Sequence, residues 1–125
     1  MINDSSTLML DEQCERLQRD SNALGVMVSS EEGLLGHSGL LGRLPDGIVD
    51  AAADLIANVL AASTRSEIQE GDDLVAQVDA LSACAAPLGP KAALVVIFDE
   101  HSSLALVRLR MKRARDSLLR SLTEP

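Results

Sequence analysis

The sequence predicts an α/β fold of the α+β kind, built as one domain over residues 1–125. Three observations carry this reading. Three segments repeat apolar residues every three or four positions, the period of an amphipathic helix. Five short segments rich in Val, Leu, Ile and Ala lie between Gly, Pro and Asp turns, as strands do. Apolar residues make up 46% of the chain and charged residues 24%, which is enough apolar material for a packed core in a chain of one domain's length.

The elements follow in order. Residues 1–6 are polar and are expected to fray, as are residues 123–125. Ser6 or Thr7 can cap a first helix running to about Asn22, with Leu10, Cys14 and Leu17 on one face. Ala23–Ser29 and Leu34–Ser38 read as a hairpin across the Glu31-Glu32-Gly33 turn, so they are antiparallel neighbours. Gly33, Gly36, Gly39 and Gly42 recur every third residue. This is not the dinucleotide spacing and no Lys-Ser/Thr pair follows it, so it reads as a hairpin strand leading into a flexible loop. Asp46 is placed to cap a second helix whose apolar stripe is Ile48, Ala52, Leu55, Ile56, Val59 and Ala62 or Ser63.

Leu74–Asp79 and Leu81–Pro87 are short strand candidates, the second weakened by its proline. Lys91–Phe98 is the strongest strand, and its unbroken apolar run asks for cover on both faces. Ser102 or Ser103 caps a last helix with Leu104, Val107, Met111, Ala114, Leu118 and Leu122 in one stripe.

Composition also narrows the function. The chain has one Phe, no Tyr and no Trp, so it lacks the rings on which single-stranded nucleic acid stacks. A net charge of −8 opposes nonspecific binding to DNA or anionic lipid, so neither nucleic acid nor membrane insertion is expected. The charge is unevenly spread. Residues 46–79 hold eight acids and one Arg, whereas the last helix carries Arg108, Arg110, Lys112, Arg113, Arg115 and Arg120. The longest apolar run, Ala92–Phe98, is far shorter than a membrane span, and no leader pattern is visible; a cytoplasmic location is expected. Cys14 and Cys84 are far apart and outside any paired motif, so they read as ordinary thiols rather than metal ligands.

No GxSxG, HExxH, GKS/T or paired-Cys pattern occurs, and the expectation is a non-enzyme with no cofactor and no metal. The one arrangement that invites a catalytic reading is Asp99-Glu100-His101-Ser102-Ser103. Adjacent residues there point apart, and polar residues at a strand-to-helix turn ordinarily cap and solvate. A small enzyme or ligand-binding domain using His101 is thus the competing class. On the second helix, Ala53, Ala57 and Ala61 form a row of small side chains flanked by Asp50, Asp54 and Asn58. Such a row serves either helix propensity on a wet face or the close approach of another backbone.

The segment Leu94–Ala114 goes further. Its run Val-Val-Ile-Phe-Asp, a short polar turn, then Ser-Leu-Ala-Leu-Val-Arg-Leu-Arg with a basic residue and Ala after it, resembles the C-terminal signature of the roadblock domain family. It is similar above all to bacterial polarity and gliding-motility regulators of the MglB type. The likeness extends over about residues 8–122, with residues 94–114 its specific part. Ala105 stands where that signature has glycine. The chain runs to Pro125, and no function of a longer tail is carried over.

That resemblance implies a five-stranded antiparallel sheet with helices 1 and 3 on one face and helix 2 on the other. It implies a homodimer joined through the third strands with the second helices paired, which would use Ile48, Ala51, Leu55, Leu74, Val75, Ala76, Gln77 and Val78. It also implies a small Ras-like GTPase of MglA type docked on the paired helices, at Asp50, Ala53, Asp54, Ala57, Asn58 and Ala61. The dimer would favour a hydrolysing conformation without contributing an arginine. A scaffold paralogue that binds other polarity proteins, or pairs with a second roadblock protein, is the alternative.

Overall fold

The computed structural model describes residues 2–39 and 41–123, with side chains from Met9 onward. In chain order they form α1 (Ile2–Asp20), β1 (Gly25–Ser30), β2 (Gly33–His37), a 3-10 turn (Leu41–Arg43), α2 (Asp46–Thr64), β3 (Leu74–Val78), β4 (Leu81–Leu88), β5 (Ala92–Phe98) and α3 (Leu104–Thr123). The strands form one antiparallel sheet in the order β2-β1-β5-β4-β3. This is the predicted fold class, down to the distribution of helices. Leu10, Cys14 and Leu17 of α1 and Val107, Met111 and Leu118 of α3 share a core with one sheet face. Ile48, Ala52, Leu55 and Val59 of α2 share a core with the other.

The centre of the sheet explains the unbroken apolar run. Every residue of β5 is buried. Leu94, Val96 and Phe98 point to the α1/α3 layer, and Ala93, Val95 and Ile97 point to α2. Alternate side chains along a strand face opposite sides, so a strand covered by helices on both must be apolar at each position.

Helix ends depart from expectation where backbone groups cap themselves. α1 starts at Ile2, ahead of the expected Ser6 or Thr7 cap, so residues 2–6 continue the helix. Thr123, expected to fray, is the last residue of α3, and the expected fraying of Met1 and of residues 124–125 lies outside the described residues. α1 stops at Asp20 because Asn22 takes a left-handed conformation, φ 54°. The Asn22 and Ala23 N–H groups then turn back to the Arg19 and Gln18 carbonyls, a Schellman closure. Ser66, φ 57°, closes α2 in the same way, with Ser66 N–H on Ser63 O and Glu67 N–H on Ala62 O. The expected Asp46 cap is corrected: Asp46 is the first helical residue, Pro45 holds the cap position, and among the described residues no side chain caps the helix. α3 starts as predicted, with Ser103 Oγ accepting the Leu106 N–H at 3.1 Å.

Two strand expectations also change. β4 runs through Pro87 to Leu88. Pairing with β3 ends at Ala85, so beyond it one side of β4 has no ladder in which a missing N–H would matter. The glycine-rich segment is less free than a flexible loop. Ser38 N–H donates to Val26 O at 2.9 Å, Ser38 Oγ accepts Val26 N–H at 3.0 Å, and the 3-10 turn follows. α2 is by length and composition apolar enough to cross a membrane, a property that uninterrupted apolar runs do not reveal. Its stripe instead covers the sheet.

Candidate partner-binding surface

α2 presents two unlike sides. Ile48, Ala52, Leu55, Val59 and Leu60 are buried on the sheet. Asp50, Ala53, Asp54, Ala57, Asn58 and Ala61 are all exposed. Positions 53, 57 and 61 are one helical turn apart in succession, so three methyl groups line up with no longer apolar side chain among them. Asp46, Asp50 and Asp54 add negative charge along the N-terminal half, and Asp46 lies in the first turn, where the helix dipole favours it. None of the three makes an ion pair among the described residues.

The N-terminal end of α2 approaches β3, one of the two edge strands. A Cβ at Gly47 would lie 3.5 Å from Val78 Cγ1. Along β3, Leu74, Ala76 and Val78 are half-buried against the α2 layer, whereas Val75 (44% exposed) and Gln77 face the opposite side and are open to solvent. One side of this strand pairs with β4 and, among the described residues, the other has no strand beside it. Of the residues expected at a dimer contact, β3 and half-buried Ala51 thus remain available. Ile48 and Leu55 do not: they are 0% and 8% exposed, and their side chains fill the core between α2 and the sheet.

Residues distant in sequence also meet where spacing could not show it. Arg108 of α3 holds Asp73 through two bonds, Nε to Oδ2 at 2.7 Å and Nη2 to Oδ1 at 2.8 Å. Arg115 lies 3.2 Å from Glu70. Part of the acidic stretch is therefore paired with the basic helix, which reduces the charge separation read from the sequence. Asp73, Arg108 and Arg115 line a groove of about 490 Å3 together with Leu94 and Met111.

The Asp99–Ser103 turn is occupied with its own geometry. His101 N–H donates to Asp99 Oδ1 at 2.9 Å, and this bond holds the Asp99 carboxyl below its usual range. His101 Nδ1 is 3.2 Å from the same oxygen, with the ring exposed. Asn22 Nδ2 donates to His101 O at 2.8 Å, and Ser102 Oγ donates to Ser21 O at 2.5 Å. These bonds fasten the turn to the end of α1. Cys14 and Cys84 are buried, and burial pushes both thiols up to about 12. They are poor nucleophiles in that state.

No protein-family model matches the chain, and no curated protein matches it in sequence. Solved structures do. MglB of Myxococcus xanthus is 27% identical with a TM-score of 0.72, the match covering 93% of this chain and 89% of that one. The gliding protein MglB of Thermus thermophilus is 24% identical with a TM-score of 0.72, covering 96% and 93%. A Roadblock/LC7 domain from Streptomyces avermitilis is 16% identical with a TM-score of 0.69, covering 90% and 96%. With its sheet order, its helices divided between the two faces and these neighbours, the chain is a roadblock-fold protein similar to MglB.

Proposed function

We propose that this protein is a homodimeric regulator of a small Ras-like GTPase of MglA type, acting in cell polarity or gliding motility. One observation carries the reading: α2 leaves a row of bare alanines in water while its other side seals the core. Alanine also serves helix propensity on a wet face, but three in line without a longer side chain leave a surface that a partner backbone can approach closely. Asp50, Asp54 and Asn58 supply polar contacts at the margin of that row. Pairing of β3 with its copy would satisfy the open strand edge and bring two α2 helices side by side through an isologous contact. The similarity to MglB supports the assignment. The dimer works by favouring one GTPase conformation and supplies no catalytic group.

The test is a multiple-turnover GTP hydrolysis assay with an MglA-type GTPase, run beside a pull-down on the GTP-loaded form. Acceleration that Ala57→Arg abolishes, in a variant with unchanged circular dichroism, supports the proposal. Undiminished binding by folded Ala57→Arg removes α2 as the platform. Binding without acceleration supports the scaffold reading instead. Sedimentation showing only a 13.2 kDa species at micromolar concentration removes the dimer.

A further inference from the structure

The sheet face opposite α2 carries a second, differently charged feature. α1 and α3 lie side by side there, and a groove of about 210 Å3 runs between them. Arg16 of α1 and Arg110 and Arg113 of α3 line it, with Gln13 and Ser117 as uncharged hydrogen-bonding groups and Asp20 as the one carboxylate. The spacing explains the convergence. Positions 13, 16 and 20 of α1 and positions 110, 113 and 117 of α3 each recur on a single helix face, and those two faces border the same groove. Among the described residues none of the three arginines makes an ion pair, in contrast to Arg108 and Arg115 on the same helix. Among the described residues Arg110 Nε is shut off from solvent without a hydrogen-bond partner, as is Arg115 Nε, so the guanidinium of Arg110 is not already satisfied by this chain at that atom.

We propose that this α1/α3 groove is a binding site for a phosphate group carrying at least two negative charges. Three guanidiniums against one carboxylate leave the lining with a net charge of +2. Planar guanidinium forks suit phosphate oxygens, and Gln13 and Ser117 can donate to the remaining ones. The volume suits a phosphate or pyrophosphate, not a folded partner. The chain's overall charge of −8 makes general attraction of polyanions a poor explanation, so recognition must be local. The sheet separates this groove from α2, so the site stands or falls independently of the GTPase reading. The phosphate can belong to a soluble compound or to a phosphomonoester lipid headgroup.

The experiment titrates inorganic pyrophosphate by calorimetry and, separately, co-sediments the protein with vesicles containing phosphatidic acid or, as control, phosphatidylserine. Arg16→Gln and Arg113→Gln, both at exposed positions, are compared with Arg43→Gln, an exposed arginine in the 3-10 turn on the α2 side. The expected result is saturable binding that each groove variant weakens about tenfold or more, as loss of a charge-assisted bond requires, while Arg43→Gln leaves it unchanged. Binding of pyrophosphate alone identifies a soluble source, and selective binding of phosphatidic acid vesicles a lipid one. No saturable binding in either arm overturns the proposal. An equal loss in Arg43→Gln overturns it as well, because binding would then follow total charge rather than the groove.

Discussion

Leu10 of α1 occupies the space that a side chain at Gly36 of β2 would need: a Cβ built there lies 2.6 Å from Leu10 Cγ and 3.1 Å from Asp11 Oδ1. Gly36 is buried, and the next residue, His37, donates its N–H to that Asp11 oxygen at 3.0 Å. The helix is thus drawn onto the edge of the sheet by a hydrogen bond and can come that close only over a glycine. Gly36→Ala is expected to destabilise the protein by about 1–3 kcal/mol through overpacking. In a Leu10→Ala background the same change should cost much less. Equal costs in the two backgrounds, by urea denaturation, would show that the contact is not the cause.

The last helix offers a contrast between its two sides. Leu118 is fully buried in the α1/α3 core, and Arg113 is exposed. Leu118→Ala should cost about 2–5 kcal/mol, and Arg113→Ala less than about 0.5 kcal/mol. Chemical denaturation giving the reverse order would contradict the helix register.

The two cysteines link stability to alkaline pH. Their folded values of about 12 lie above the ordinary 9.0. A thiol that ionises more readily when unfolded stabilises the fold fully below pH 9 and loses that contribution as pH rises from 9 towards 12. Midpoints of urea unfolding should therefore fall over that window, and the fall should shrink in Cys14→Ala/Cys84→Ala. A thiol reagent at neutral pH should label the native protein only at the rate at which it opens.

Removal of the Ser103 cap tests the start of α3. Ser103→Ala leaves the Leu106 N–H without its side-chain acceptor and should cost about 1 kcal/mol. Ser103→Asp should keep most of the stability. If Ser103→Ala melts at the wild-type temperature, the hydroxyl adds nothing at this helix end.

His101→Ala addresses the competing catalytic class. The backbone N–H that bonds Asp99 survives this substitution, and so does the carbonyl that accepts from Asn22. Any stimulation of GTP hydrolysis should therefore stay near the wild-type rate. A large loss in a folded variant would restore the ring to a chemical role.

Much of the candidate surface was legible in the sequence because it depends on one helix alone. Once α2 is drawn with its apolar stripe inward, Ala53, Ala57 and Ala61 must share the outer side, and all three are exposed. The dimer residues were less legible. Ile48 and Leu55 are apolar and lie on the relevant helix, but whether such a residue faces its own sheet or a second copy depends on how the helix is rotated about its axis. The arginine groove was hidden for a related reason. Charge on α3 was plain, but its meeting with Arg16 required the two helices to be packed together.

What the sequence determined by itself is whatever local periodicity encodes: the order of elements, the doubly covered β5 and the inward stripes of α2 and α3. These follow from the fixed side-chain directions of helices and strands, which any apolar pattern reveals. Tertiary structure decided the rest. Schellman closures at Asn22 and Ser66, rather than polar caps, ended two helices. Packing of Leu10 over Gly36 gave one of four regularly spaced glycines its purpose. Arg108 was bound to Asp73, across 35 residues, and so withdrawn from the free charge of α3, while Arg16, Arg110 and Arg113 were gathered at one groove. Such contacts depend on distances between elements, and those are set by how side chains of both partners fill the space between them, which no single segment contains.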